Sequence, residues 1–284
     1  MSISRREFLK VAGIGLGWVI IPPIAKPAIS GDASPGSASM LYDSTLCIGC
    51  RACQMACKRR SNLPPETDSS KLYEQPRDLS ANTWTLIKLY QEGNAFAFIK
   101  AQCMHCLEPA CVSVCPVGAL EKKESGPVIY HTDKCIGCRY CMAACPYFVP
   151  KYQWTKTFPL IQKCDFCADR QLNGKQPACG EACPTGALIS GTRQEMLTVA
   201  RKRLASSPKY VNHIYGEHEG GGTAMLYISH IPFEKLGLPS LKDYSLPSVT
   251  LPFMKSVPWI ILTLGSLMTG IYLYTHRQKK AKEE

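Results

Sequence analysis

Sixteen cysteines divide along this chain into four complete sets of four. They are Cys47, Cys50, Cys53, Cys57; Cys103, Cys106, Cys111, Cys115; Cys135, Cys138, Cys141, Cys145; and Cys164, Cys167, Cys179, Cys183. The first and third read C-x2-C-x2-C-x3-C, the spacing at which one loop wraps three thiolates around a cubane iron-sulfur cluster and sends the fourth to a neighbouring cluster. Four sets therefore predict four 4Fe-4S clusters and a path for electrons between them. The second set widens its middle gap to C-x4-C and the fourth to C-x11-C, which lengthens a loop and keeps all four ligands.

The residues between the cysteines suit that chemistry. Gly49, Ala52, Gly137 and Ala143 are small enough for the backbone to approach a cluster and point its amides at sulfur. Pro116, Pro146 and Pro184 follow the last cysteine of three sets and stop the helical turn there, whereas the first set has Lys58 at that place. Zinc knuckles use paired C-x2-C arms across a long spacer, but here a third cysteine follows at once or after a short insertion. A disulfide-stabilised scaffold would suit an exported chain with an even cysteine count, yet thiols repeated at x2 and x3 are poor bridging geometry. No C-x-x-C-H occurs, so covalent haem is not indicated. His105, inside C-M-H-C, is expected to hydrogen-bond near a cluster rather than to ligate it, since four thiolates are already available.

The elements that must position these loops are short. Cys115-Pro-Val-Gly-Ala-Leu120 and Cys183-Pro-Thr-Gly-Ala-Leu188 are near copies, each closing a set, which points to a duplication. Met40–Tyr42, Ala95–Ile99, Val128–Tyr130 and Leu160–Ile161 read as small strands, and Thr83–Tyr90 with Ala95–Ile99 as a hairpin around Gly93-Asn94. Thr192-x-x-Glu195 is a capping box opening a helix whose Met196, Ala200 and Leu204 share one face. The expected fold class is α+β: duplicated dicluster domains of short strands and loops around four clusters, plus a C-terminal transmembrane helix.

Both ends carry membrane signals. Ser4-Arg-Arg-Glu-Phe-Leu-Lys10 followed by the apolar, glycine-rich run Val11–Ile21 is a twin-arginine export signature, and Ala28-x-Ser30 offers small residues for cleavage. Val257–Tyr274 is an uncharged apolar run about 27 Å long as a helix, close to a hydrocarbon core of about 30 Å. Trp259, Tyr272 and Tyr274 stand at its ends like interface anchors, and Ser266-x3-Gly270 would admit a close partner helix. His276, Arg277, Lys279, Lys280 and Lys282 follow, so the tail is expected in the cytoplasm and the cluster domain in the periplasm of a single-pass inner-membrane protein. The expected organisation is a Tat signal over 1–30, a linker over 31–39, a four-cluster domain over 40–245, a linker over 246–256, a transmembrane helix over 257–275 and a basic tail over 276–284.

The formal net charge of +11 does not call for nucleic acid. The signal and the tail carry part of it, and four oxidised clusters at about −2 each nearly cancel the rest. Arg51, Lys58, Arg59, Lys134, Arg139 and Lys163 lie beside cysteines, where a cation raises a cluster potential or else faces solvent or a partner. Gly220-Gly221-Gly222-Thr223 lacks the P-loop lysine and reads as a turn before Met225–Ile228. The sequence offers no nucleophile triad, nucleotide fingerprint or substrate pocket, so no catalytic residue is assigned.

Cys47-Ile-Gly-Cys-Arg-Ala-Cys-Gln-Met-Ala-Cys-Lys58, Gln102-Cys-Met-His-Cys106 and Cys138-Arg-Tyr-Cys-Met-Ala-Ala-Cys-Pro-Tyr147 resemble the four-cluster subunits of membrane oxidoreductases, including formate dehydrogenase beta subunits. The resemblance covers about Leu41 to Ile231. With the twin arginines, Met40-Leu-Tyr-Asp-Ser-Thr-Leu-Cys47, Tyr215-Gly-Glu-His-Glu-Gly-Gly-Gly222 and one terminal span, it is most similar to the HybA-type subunits of hydrogenase-2-like nickel-iron hydrogenases. Some such relatives replace a cysteine of the third set and hold a 3Fe-4S cluster, whereas Cys138 is kept here. The resemblance implies a pseudo-twofold arrangement in which Cys47, Cys50, Cys53 join Cys183; Cys164, Cys167, Cys179 join Cys57; Cys103, Cys106, Cys111 join Cys145; and Cys135, Cys138, Cys141 join Cys115. It further implies a non-catalytic subunit passing electrons between hydrogenase small and large subunits and a quinone-reactive integral membrane subunit in the bilayer. A formate dehydrogenase or another molybdopterin oxidoreductase is the alternative partner, because one wiring serves many reactions.

Overall fold

The computed structural model of the chain describes residues 36–66 and 78–283; the export signal read over 1–30 lies outside them. Strand β1 (Ala38–Asp43) is the middle of a three-stranded sheet, antiparallel to β8 (Leu188–Thr192) and parallel to β9 (Met225–Ile228). Because side chains alternate along a strand, β1 serves two cores. Leu41, with Leu226 and Ile228, meets Met196 and Ala200 of helix α6 (Arg193–Ser206). Met40 and Tyr42 face the other way, into a core that holds Met225, Tyr227, Cys53 and Cys179. The capping box opening α6 forms as read: Thr192 Oγ1 accepts from Glu195 N–H, and the Glu195 carboxylate accepts from Thr192 N–H at 2.9 Å.

The remaining strands form three antiparallel pairs: β2 (Leu86–Glu92) with β3 (Ala95–Ala101), β4 (Leu120–Lys122) with β5 (Val128–Tyr130), and β6 (Lys151–Tyr152) with β7 (Ile161–Gln162). Gly93 turns the first hairpin at φ 58°, as its sequence demands. That hairpin begins at Leu86 rather than Thr83, which forms an isolated bridge with Ser80 instead. Four short helices follow cysteines or contain them: α1 (Ala52–Arg60), α2 (Ala110–Ser113), α3 (Tyr140–Ala144) and α5 (Ala178–Glu181), with α4 (Ala168–Leu172) filling the long gap of the fourth set. Helix α1 runs on through Cys57 to Arg60 while α3 stops at Ala144, because Pro146 ends the third set where Lys58 continues the first.

The elements correspond in two halves. The first runs β1, first set, α1, β2, β3, second set, α2, β4, and the second runs β5, third set, α3, β6, β7, fourth set, α5, β8. The near copies ending in Leu120 and Leu188 lead into β4 and β8. Yet β1 pairs with β8 and β5 with β4, so one cross-half strand pair stands behind the first set and the other behind the third.

Helix α7 (Leu246–Glu283) starts eleven residues before the span read from the sequence and absorbs the segment expected to be a linker over 246–256. Pro247 falls in its first turn, where a missing N–H is no loss. Pro252 and Pro258 lie inside it, and the helix continues through both and through the residues read as the basic tail. Within Leu246–Arg277 an 18-residue window has a mean hydropathy of 1.5, so the helix is long and apolar enough by composition to cross a bilayer. Residues beyond Pro247 form a unit separate from the cysteine-bearing one.

Candidate functional site

The four cysteine loops share a local conformation. In Cys47-Ile-Gly-Cys-Arg51 and Cys135-Ile-Gly-Cys-Arg139, both glycines have φ 70°, and Arg51 and Arg139 take the left-handed region at φ 58° and 63° immediately before α1 and α3. A Cβ on Gly49 would lie 2.5 Å from the Phe98 ring, and one on Gly137 3.2 Å from the Tyr152 hydroxyl. Only glycine meets both demands. In the second and fourth sets the third loop position is again left-handed, His105 at φ 47° and Phe166 at 61°, and the two rings stack 4.5 Å apart.

The fold gathers the sixteen free thiols into four groups that cut across the sequence sets. Cys47 lies within electrostatic reach of Cys53 and Cys183, and these three with Cys50 line a small cavity. Cys57 has Cys179 and Cys167 as neighbours, and Cys164 adjoins Cys57 and Cys179. Cys106 is surrounded by Cys103, Cys145 and Cys111. Cys141 neighbours Cys135, Cys138 and Cys115, and these four line a second small cavity. The exchange of each set's fourth cysteine follows the swapped strand pairing, because β8 returns Cys183 to the loop after β1 and β4 brings Cys115 to the loop after β5.

The groups also fall in a line. Cys179 of the second group is coupled to Cys53 of the first, Cys164 of the second to Cys103 of the third, and Cys111 of the third to Cys141 of the fourth. Most thiols of the two middle groups are buried, whereas Cys50 and Cys138, at matching places in the two end groups, are exposed. Beside them Ile48 and Ile136 are 61% and 65% exposed.

Burial sets the thiol electrostatics. It pushes Cys57 and Cys111 up to about 12 and Cys179 and Cys141 up to about 11, with neighbouring thiols adding to the effect. Four such thiols become thiolates together only when metal charge replaces the protons. Cys115 and Cys183 behave oppositely. Burial alone would raise them, but backbone N–H groups of the following turn outweigh it: Leu120, Val117, Ala119 and Gly118 at Cys115, and Leu188, Thr185 and Ala187 at Cys183. The two C-P-x-G-A-L copies are therefore amide nests for a sulfur anion.

Of the cations read beside cysteines, Lys58 is buried and paired with Glu66 at 2.8 Å, Lys163 is buried with its ammonium on the carbonyl of Cys164 at 2.9 Å, and Arg139 covers the Tyr152 and Trp154 rings. Arg51 is also buried, while Arg59 and Lys134 are exposed. Two lysines were not legible as site residues. Lys122 reaches the His105 carbonyl at 3.2 Å and is drawn down to about 8 by burial, with Cys106 and Cys103 opposing. Lys100 on β3 is wholly buried. Neither adjoins a cysteine in sequence, and strand alternation alone does not bury a lysine.

His105 is fully buried, and its Nδ1 accepts the Val128 N–H at 3.0 Å. Burial, then Lys163 and Lys122, hold its pKa well below the ordinary value, so the ring is neutral and Nε2 carries the proton. That Nε2–H has no hydrogen-bond partner among the described residues. A buried donor left open beside Cys103 and Cys106 fits an acceptor such as cluster sulfide, as do the sulfur-facing amides of Ala119, Gly137, Phe166 and Leu188. Among the described residues no three Cys, His, Asp or Glu side chains converge tightly enough for one metal ion.

Loops of this conformation, gathering thiols in fours behind short strand pairs, define a ferredoxin-type iron-sulfur protein with an apolar C-terminal helix. Residues 94–193 match the 4Fe-4S dicluster domain family. The chain is 41% identical over 281 residues to the hydrogenase-2 operon protein HybA of Escherichia coli O157:H7, covering 86% of each chain. It is 38% identical over 199 residues to the nitrate-inducible formate dehydrogenase iron-sulfur subunit of Escherichia coli K12, covering 67% of each. A protein of Nitratidesulfovibrio vulgaris is 40% identical over 294 aligned residues, covering 99% of this chain and 80% of that one. The chain belongs to the HybA family of iron-sulfur electron-transfer subunits, and its cofactors are 4Fe-4S clusters.

Proposed function

We propose that this chain relays electrons between a periplasmic uptake nickel-iron hydrogenase and a quinone-reactive integral membrane subunit, through four 4Fe-4S clusters ligated by the four cross-set cysteine groups. The linear order of those groups, with exposed Cys50 and Cys138 at its two ends, carries the reading. A cluster bound by each group supplies a one-electron site. The protein supplies the rest: thiolates that hold the metal, amide nests at Cys115 and Cys183 that stabilise sulfur charge, and burial of the middle groups that keeps water out. Exposed Ile48 and Ile136 give each end an apolar rim against which a partner can exclude solvent.

The hydrogenase assignment draws on HybA, whose match extends over more of the chain than that of the formate dehydrogenase subunit. The twin arginines over Ser4–Lys10 assign export through the Tat route, and α7 then anchors the protein with its carboxyl end in the cytoplasm.

Cys138→Ala in the assembled membrane complex tests the relay. Quinone-linked hydrogen oxidation should fall while a dye reduced directly at the catalytic subunit is still turned over. Undiminished quinone reduction in an intact complex refutes the relay, and formate replacing hydrogen as the donor refutes the hydrogenase assignment.

A further inference from the structure

Lys100 is the one lysine of the described core whose burial is complete and whose charge no protein carboxylate answers. It is 0% exposed, and its ammonium donates to the Thr85 hydroxyl. Its carbonyl accepts from the Tyr227 hydroxyl at 2.9 Å, which pins β3 against β9. Among the described residues it makes no ion pair. Lys58 is the contrast. Also buried beside a cysteine, it holds Glu66 at 2.8 Å and the carbonyls of Pro64 and Asn82 at 2.8 Å each.

An ammonium moved from water into a protein core without a counter-charge loses its proton. Burial alone would drive Lys100 that way. The groups that act on its charge are instead the sulfurs of Cys53, Cys179, Cys57 and Cys164, and the negative charge of clusters bound there would answer it. Those four sulfurs come from two groups, Cys53 from the first and the other three from the second. Lys100 therefore stands between the first two centres of the line, and its counter-charge is on both of them.

We propose that Lys100 is a positioning residue for electron transfer: a buried, permanent cation shared by the first and second clusters that raises both reduction potentials. Each added electron makes a cluster more negative, so a fixed positive charge nearby stabilises the reduced state more than the oxidised one. None of those four sulfurs belongs to the third or fourth centre, so those two should stay near their original potentials. This rests on the four-cluster assignment above.

The test is a redox titration of the anaerobically prepared complex followed by EPR, comparing the unaltered protein with Lys100→Met, Lys100→Gln and Lys100→Arg. Iron and sulfide content of the unaltered protein comes first. A value far below about sixteen of each per chain overturns the cluster assignment itself, whatever Lys100 does. With four clusters present, the neutral variants should lower the reduced-to-oxidised ratio of two clusters at least tenfold at a given poise. For a one-electron couple that is a shift of about 59 mV to lower potential. The other two midpoints should stay in place, and Lys100→Arg should keep all four near their original values. Met and Gln differ in shape and in their ability to meet Thr85, so either one that loads iron gives the reading. Neutral variants that load fully and leave every midpoint unmoved overturn the proposal. So does an equal shift of all four, or a shift in Lys100→Arg as large as in Lys100→Met.

Discussion

Alanine substitutions at Cys53, Cys57 and Cys183 separate the cross-set ligand grouping from one in which each set of four holds its own cluster. Cys53 and Cys57 are one helical turn apart in α1, while Cys183 lies in the other half of the domain. In the fold Cys53 goes with Cys183, and Cys57 goes with Cys164, Cys167 and Cys179. If each group holds one cubane, the unaltered chain carries about sixteen irons, and each single variant loses about one, for a three-iron form, to about four, for loss of the centre. The double variants decide. Cys53→Ala with Cys183→Ala removes two ligands from one centre, so its loss stays at about four irons, strongly non-additive. Cys53→Ala with Cys57→Ala strikes two centres and should lose up to about eight, the sum of the singles. Iron, acid-labile sulfide and EPR spin counts on anaerobically purified protein measure this, with far-UV circular dichroism confirming that the domain stays folded. An additive loss in the Cys53/Cys183 pair, together with a single-centre loss in the Cys53/Cys57 pair, would refute the cross-set grouping.

Three further outcomes follow from particular contacts. Gly49→Ala meets both a φ of 70° and the Phe98 ring 2.5 Å from the new Cβ, so it should cost about 1–3 kcal/mol and deplete the first cluster; Gly186→Ala, with φ 65° and open space, should cost only about 1 kcal/mol, as chemical denaturation will show. His105 has a folded pKa depressed by burial and by Lys163 and Lys122, so below pH of about 6.5 the unfolded chain binds a proton that the folded one refuses. Stability should therefore fall as pH drops below that value, by at most about 1.4 kcal/mol per pH unit for this group. His105→Asn, which keeps an acceptor for Val128 N–H and tolerates the positive φ, should flatten that part of the slope; a slope identical to the parent's would exclude His105 as its source. A reporter fused after Glu284 should be active in the cytoplasm and one inserted near Ser207 in the periplasm, with Arg5→Lys and Arg6→Lys together retaining the domain inside; the reverse reporter pattern would invert the assigned topology.

Much of this protein is written locally. The C-I-G-C-R loops, the C-P-x-G-A-L copies, the Thr192–Glu195 capping box and the Gly93-Asn94 hairpin all act through residues a few positions apart, and each folds as its spacing requires. The apolar span was equally legible, although its start was not: the segment over 246–256 expected to be a linker is part of one continuous helix that holds Pro252 and Pro258 inside it. The grouping of thiols, by contrast, was available from the sequence only by resemblance. Helix α1 carries Cys57 about 6 Å along its axis beyond Cys53, and which centre it then meets depends on the packing of α1 against α5. Likewise, Cys183 reaches Cys47 only because β8 pairs with β1 from the other half. Lys100 shows the same division most sharply. A lysine in a strand is ordinarily a solvated residue, and it becomes a buried cation between two centres only when β3, β9 and two distant cysteine loops close around it, because long-range packing, not local preference, decides which charges are taken out of water.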